Sequence, residues 1–310
     1  MSQRIAFVFP GQGSQKIGML AELAAEFPIV QKTFAEASDV LGYDLWALVQ
    51  NGTQDEINLT ECTQPLLLAA SVAVWRVWCE KSGAKPAYMA GHSLGEWSAL
   101  VCAGVLEFKD AVKLVQQRGK FMQDAVPAGQ GAMAAIIGLD DAAILEACKK
   151  AEQGEVVSAV NFNSPGQVVI AGNVAAVERA SQLCKEAGAK RALPLPVSAP
   201  FHTSLMQPAA DRLAEQVNAT VFSLPEIPVV HNVTAQVEPC AEKIKALMIE
   251  QIYSPVRWVE CVNTLVNSGV NKTVECGPGK VLSGLNKRIN AELQTVSIEK
   301  PEDVLAVVAE

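Results

Sequence analysis

The chain has 310 residues, half of them hydrophobic and only 19% charged. That excludes an intrinsically disordered segment and a disulfide-stapled mini-protein, and leaves room for one large domain or two. Lys plus Arg number 25 against 33 Asp plus Glu, a net charge of −8, which disfavours a nucleic-acid binder because that class usually carries a basic excess.

Strand and helix signals alternate, which points to a wound α/β architecture. Residues 5–9 form a β-rich run ending in Pro10-Gly11-Gln12-Gly13, and residues 65–79 read as a buried helix with Pro65 in its first turn. Residues 87–90 are a short strand feeding Gly91-His92-Ser93-Leu94-Gly95, after which residues 96–106 and 110–123 recover helical period. Composition shifts at Pro127-Ala128-Gly129-Gln130-Gly131, a candidate domain crossing. Beyond it come a strand at 133–139, a helix at 141–151, strands at 156–162 and 167–171, a helix at 174–187 and a strand at 191–197. This βαββαβ order is that of a ferredoxin-like unit. Ser198-Ala199-Pro200 then returns the chain to the larger body, with helices at 204–218, 240–251 and 258–268 and strands at 229–233 and 272–276. The expected fold is a small domain, residues 127–198, inserted in a larger α/β domain of residues 1–126 and 199–310, with a cleft between them.

The eight cysteines are scattered, with no Cys-x-x-Cys, so a zinc ribbon or redox pair is not expected and a reducing compartment is. No long hydrophobic signal core opens the sequence, and the longest apolar run, 65–75, is too short to span a bilayer. A cytoplasmic protein without membrane or nucleic-acid partners, and a monomer, is the expectation.

Gly91-His92-Ser93-Leu94-Gly95 has the Gly-x-Ser-x-Gly form between a strand and a helix. On a nucleophile elbow the turn is too tight for side chains two residues either side of the serine, and the helix start offers a backbone N–H to an oxyanion. The competing reading is an ordinary strand-to-helix turn with Ser93 as a cap. A serine nucleophile needs a base, and there are three histidines. His92 adjoins the serine and is expected to point away from the cleft. His231 ends an apolar run and reads as a satisfied core histidine. His202, at the domain junction, is the choice. No acidic residue between Ser93 and His202 announces itself as a third triad member.

Arg118 interrupts an apolar stripe formed by Ala111, Leu114, Val115, Phe121 and Met122. A guanidinium there needs an anion, an internal carboxylate or a ligand's, unless its stem carries it to water. Neither Gly11-Gln12-Gly13-Ser14-Gln15-Lys16 nor Gly277-Pro278-Gly279-Lys280 fits a nucleotide fingerprint. The first can still supply an oxyanion donor from its strand-end N–H groups.

Phe9-Pro10-Gly11-Gln12-Gly13-Ser14-Gln15, Thr63-Gln64-Pro65, Gly91-His92-Ser93-Leu94-Gly95-Glu96 and Gln117-Arg118-Gly119 occur in order. They are followed by Asn161-Phe162-Asn163-Ser164-Pro165-Gly166-Gln167, Ala199-Pro200-Phe201-His202 and Glu275-Cys276-Gly277-Pro278-Gly279. In this ordered set the chain resembles the malonyl-CoA:acyl carrier protein transacylases over essentially its whole length. The resemblance implies an α/β-hydrolase-like large domain with a parallel sheet, carrying the inserted ferredoxin-like small domain. It implies a ping-pong transfer in which Ser93 takes the malonyl group from malonyl-CoA and passes it to the phosphopantetheine thiol of acyl carrier protein for fatty acid synthesis. His202 would be the base, Gln251 the neutral oxygen that orients it, Gln12 and Leu94 the oxyanion donors, and Arg118 the grip on malonate's free carboxylate. Phe201 would disfavour an α-methyl branch. No cofactor is expected, since malonyl-CoA is substrate and the carrier brings its own phosphopantetheine. Lys190, Arg191, Lys280, Lys287 and Arg288 are candidates for docking an acidic carrier against the net charge. A serine esterase or thioesterase, or an acyltransferase serving a polyketide synthase, are the alternatives.

Overall fold

The computed structural model describes residues 3–81, 84–197 and 199–310. Its strands are β1 (Ile5–Phe9), β2 (Tyr88–Gly91), β3 (Gly131–Ile137), β4 (Val157–Ser164), β5 (Gln167–Asn173), β6 (Arg191–Pro194), β7 (Val229–Val230), β8 (Lys272–Cys276) and β9 (Gln294–Ile298). Five of them form a sheet in the order β7-β2-β1-β8-β9, every neighbouring pair parallel. The β1 sequence is apolar without a break because both faces are covered. Phe7 and Phe9 join the core under the helices Pro28–Leu41 and Thr60–Lys81, whereas Ala6 and Val8 join the opposite core with Trp258, Val262 and Leu285.

The other four strands form an antiparallel sheet in the order β4-β5-β3-β6, the ferredoxin-like arrangement. Period-2 alternation divides its residues. Ala134, Ile136, Val168 and Ile170 pack on the helices Asp141–Ala151 and Val174–Glu186, through Ile144, Cys148, Val177 and Cys184. Met133, Val160 and Val169 face the other way and merge with the large core. The two sheets are also tied through backbone, because Phe162 N donates to Val256 O at 3.0 Å and Val256 N to Val160 O at 2.7 Å. Segment 254–257, which follows Gln251, is thereby fixed against β4.

Near the site, the helix expected at 96–106 spans Leu94–Cys102 and the strand expected at 191–197 stops at Pro194, and three further elements depart from the sequence expectations. The helix expected to begin at Pro65 begins at Thr60, so that proline sits inside it. It falls in the second turn, where Thr63 Oγ1 donates to the Ile57 and Leu59 carbonyls and helps anchor the preceding chain. The strand expected at 229–233 stops at Val230, freeing His231 and Asn232 from the ladder. The helix expected to run to Gln251 ends at Glu250 and gives way to a 3₁₀ turn, Gln251–Tyr253. Ser198, the expected end of the small domain, lies outside the described residues.

Candidate active site

β2 ends beside β1, with Gly91 opposite Phe9, and the turn that follows puts Ser93 at φ 52° and ψ −111°. Backbone crowding enforces the turn's composition. A Cβ on Gly95 would come within 2.1 Å of the Phe9 carbonyl oxygen, and one on Gly11 within 2.5 Å of the His92 oxygen. The Pro10–Gly13 loop can therefore lie directly against the elbow, which brings Gln12 beside Leu94. Leu94 is the first residue of the helix Leu94–Cys102, so its N–H has no intrahelical acceptor. Asn232 pins the turn from below: Ser93 N donates to its Oδ1 at 2.9 Å and its Nδ2 donates to Gly91 O at 2.7 Å.

Ser93 Oγ lies 2.8 Å from His202 Nε2, and His202 Nδ1 donates to the Gln251 backbone carbonyl at 2.9 Å. That second bond places the proton on Nδ1 and leaves Nε2 free to accept from the serine. His202 is held at φ 63° in a tight loop closed by Thr203 Oγ1 donating to Pro200 O at 2.7 Å. Burial first, then the Arg118 charge, lowers its pKa from 6.5 to about 3. The imidazole is therefore neutral at pH 7.

Arg118 is 1% exposed, on the helix Phe108–Asp124. Nη1 donates to Gln64 Oε1 at 2.8 Å, and Nη2 donates to Gln251 Oε1 at 3.0 Å and to Ser93 Oγ at 3.2 Å. Buried Nε has no acceptor among the described residues. All three bonds end on neutral oxygens, and no described carboxylate pairs with the guanidinium. Burial lowers its pKa to about 10, with partial compensation from Glu96, so the cation persists at neutral pH. A buried cation bonded only to neutral oxygens, against a serine, is a receptor for an anion.

These groups meet in a cavity of about 120 Å³ lined by Gln12, Ser93, Leu94, Arg118 and His202, with Met133 and Phe201 among its apolar walls. The geometry thus brings together five of the six candidate site residues directly. The sixth, Gln251, reaches His202 through its backbone and Arg118 through its side chain. His92 is among the residues lining the cavity, and its ring Nε2 donates to Asn163 Oδ1 at 2.7 Å. His231 is wholly buried as expected, but only Nδ1 is bonded, to Glu96 at 2.6 Å, and Nε2 has no partner among the described residues. Gln64, Glu96 and Asn232 were not singled out for roles by sequence reasoning. The available signals are Gln64 and Glu96 standing inside the motifs and Asn232 following a core strand.

The acyl transferase domain family matches residues 6–297. The malonyl CoA-acyl carrier protein transacylase of Haemophilus influenzae is 62% identical over 297 residues, 96% of this chain and 95% of the relative. Its Salmonella typhimurium counterpart is 59% identical over 307 residues, 99% of both chains. The chain belongs to the malonyl-CoA:acyl carrier protein transacylase family. The family's solved structures agree in fold. An acyl carrier protein S-malonyltransferase from Vibrio cholerae superposes with a TM-score of 0.97 at 61% identity, covering 98% of this chain and 100% of that one. A malonyl transacylase solved in complex with the acyl carrier protein of a type II polyketide synthase superposes at 0.98, with 58% identity and 99% of each chain covered. The α/β class, with its parallel sheet and separate antiparallel sheet, is thus the transacylase fold.

Proposed function

We propose that this chain is an acyl carrier protein S-malonyltransferase, carrying malonyl from malonyl-CoA to the carrier's phosphopantetheine thiol for fatty acid synthesis. The observation that carries the reading is the buried Arg118 guanidinium, hydrogen-bonded to no described carboxylate, 3.2 Å from the Ser93 hydroxyl. In the first half-reaction His202 Nε2 takes the Ser93 proton as Oγ attacks the thioester carbonyl carbon. The carbonyl oxygen becomes an oxyanion facing the N–H groups of Leu94 and Gln12. Collapse breaks the C–S bond, the imidazolium returns its proton to the departing sulfur, and coenzyme A leaves malonyl on Ser93. The carrier thiol then gives its proton to His202 and attacks the acyl carbon, and Ser93 leaves with that proton.

Arg118 serves both steps. Malonate's free carboxylate neutralises the charge that depresses His202, so the docked substrate raises the basicity of the base that acts on it. A neutral carbonyl behind His202 stabilises the imidazolium less than aspartate would, which an activated thioester tolerates. Phe201 and a cavity of about 120 Å³ leave little room for an α-methyl branch. The site is complete within one chain, which supports a monomer. Eight free cysteines support a reducing, cytoplasmic setting, and no described helix is long and apolar enough to cross a membrane. The reaction as written uses no cofactor.

The carrier docks on exposed Lys190 and Arg191 of the small domain and Lys287 and Arg288 of the large one, the two being linked where Arg288 Nη1 donates to Gln167 Oε1 at 3.2 Å. A second cavity, about 260 Å³, runs beside Gln167 and Val281 to Gln12 and His92 and suits a pantetheine arm. Kinetics with holo-carrier test the reading. Labelled malonyl should appear on the carrier far faster than as free malonate, and reversing both Lys287 and Arg288 to Glu should raise the carrier's KM by roughly tenfold with malonyl-CoA's unchanged. Free malonate as the main product, with or without carrier, would instead establish a thioesterase.

A further inference from the structure

Behind the cavity lies a polar cluster that no catalytic step uses. Glu96 is 1% exposed and does not line the cavity. Its Oε2 accepts from Gln251 Nε2 at 2.6 Å, and its Oε1 accepts from His231 Nδ1 at 2.6 Å. The same Gln251 amide nitrogen donates to Ser93 O at 2.9 Å, while its oxygen accepts from Arg118 Nη2. Both amide hydrogens are thus committed to acceptors, and the amide oxygen to the cation.

We propose that Glu96 is a positioning residue that sets malonyl selectivity from behind the site, by locking the Gln251 amide so that Arg118 is aimed at the acyl carboxylate. The proposal rests on the malonyltransferase reading above. The physical reason is the cost of the alternative orientation. A flipped amide would turn its oxygen toward the Glu96 carboxylate and the Ser93 carbonyl, and its NH₂ toward the guanidinium, making three favourable contacts repulsive at once. With a carboxylate at position 96 only one orientation survives. A neutral side chain there can pair with either end of the amide, so the one charged constraint is lost and the orientation is left to Ser93 O and Arg118 alone. Glu96 also supplies the negative charge nearest in effect to Arg118, helping keep it protonated.

The test is Glu96→Gln in the full chain, a nearly isosteric change. The kcat/KM for malonyl-CoA should fall about 10- to 100-fold, mainly through KM, because a misplaced guanidinium binds the carboxylate poorly. Labelling of Ser93 by an uncharged fluorophosphonate should stay within about threefold of wild type, since that reagent has no carboxylate for Arg118 to hold. Equal losses in both assays would make Glu96 a support of the elbow only, and unchanged malonyl kinetics would give it no role; either overturns the proposal. A wild-type chain that labels with fluorophosphonate yet accepts no malonyl overturns the functional reading itself, a separately visible failure. If E96Q does not fold, Glu96→Asp keeps the charge but withdraws the carboxylate by one methylene from the Gln251 amide. It must shift selectivity in the same direction, and an equal loss in both assays refutes the proposal.

Discussion

Replacing Arg118 with alanine removes the charge on which the substrate reading depends, and its consequences differ by acyl group. Each charge-assisted hydrogen bond to a carboxylate contributes roughly 1.5–3 kcal/mol, so losing two amounts to about 3–6 kcal/mol, or roughly 10²- to 10⁴-fold in kcat/KM for malonyl-CoA. Acetyl-CoA has no carboxylate to lose, and its kcat/KM should hold or rise. The base should change too. The Arg118 charge is the second cause, after burial, of the low His202 pKa of about 3. Its removal moves that pKa up toward 6.5 without reaching it, so the acid limb of acetyl transfer should shift to higher pH than in wild type. Stopped-flow acylation with both thioesters across pH 4–8 measures all three effects. A fall of the same factor for malonyl and acetyl would refute the reasoning, because the arginine would then be a scaffold rather than a receptor.

Gly95→Ala should abolish fluorophosphonate labelling of Ser93 and cost roughly 1–3 kcal/mol of stability, because the added Cβ would lie 2.1 Å from a backbone oxygen that cannot retreat; normal labelling would contradict the crowding argument. Burial raises the Glu275 carboxyl from 4.5 to about 7 at the start of the helix Val281–Ile289, where it accepts from Ser283 N at 2.9 Å. The folded chain keeps this proton where the unfolded chain releases it, so the contribution is full below pH 4.5 and lost as pH rises through 7, a change of up to about 3 kcal/mol. Glu275→Gln should remove that slope from Tm measured between pH 5 and 8, and parallel slopes in the two proteins would contradict the assignment.

Local chemistry made much of this molecule legible before its structure. The small sheet follows from alternation, and its strands show one buried face toward their own helices and the other toward the large body. Arg118 stood out because a cation in an apolar stripe demands an explanation, and Ser93 because glycine two residues to either side is what a crowded elbow requires. What was illegible depends on contacts through space. Glu96 meets His231 across 135 residues and Gln251 across 155, and no spacing rule links such partners. Gln251 came only through family resemblance, since an amide at a helix end carries no signal of its own. The edge strand β9, Gln-Thr-Val-Ser-Ile, has one covered side and only a single fully buried residue, so it shows no apolar run. β7 was legible as a strand within 229–233, but with only two residues it has no period to mark where it ends.

Brief exposure of the chain to malonyl-CoA, then intact-protein and peptide mass spectrometry, reaches the centre of the account in one step. A single malonyl adduct on the peptide containing Ser93, absent from Ser93→Ala and discharged faster by carrier thiol than by buffer, is the expected result. An adduct on another residue, or one that buffer removes as fast as the thiol does, would contradict it.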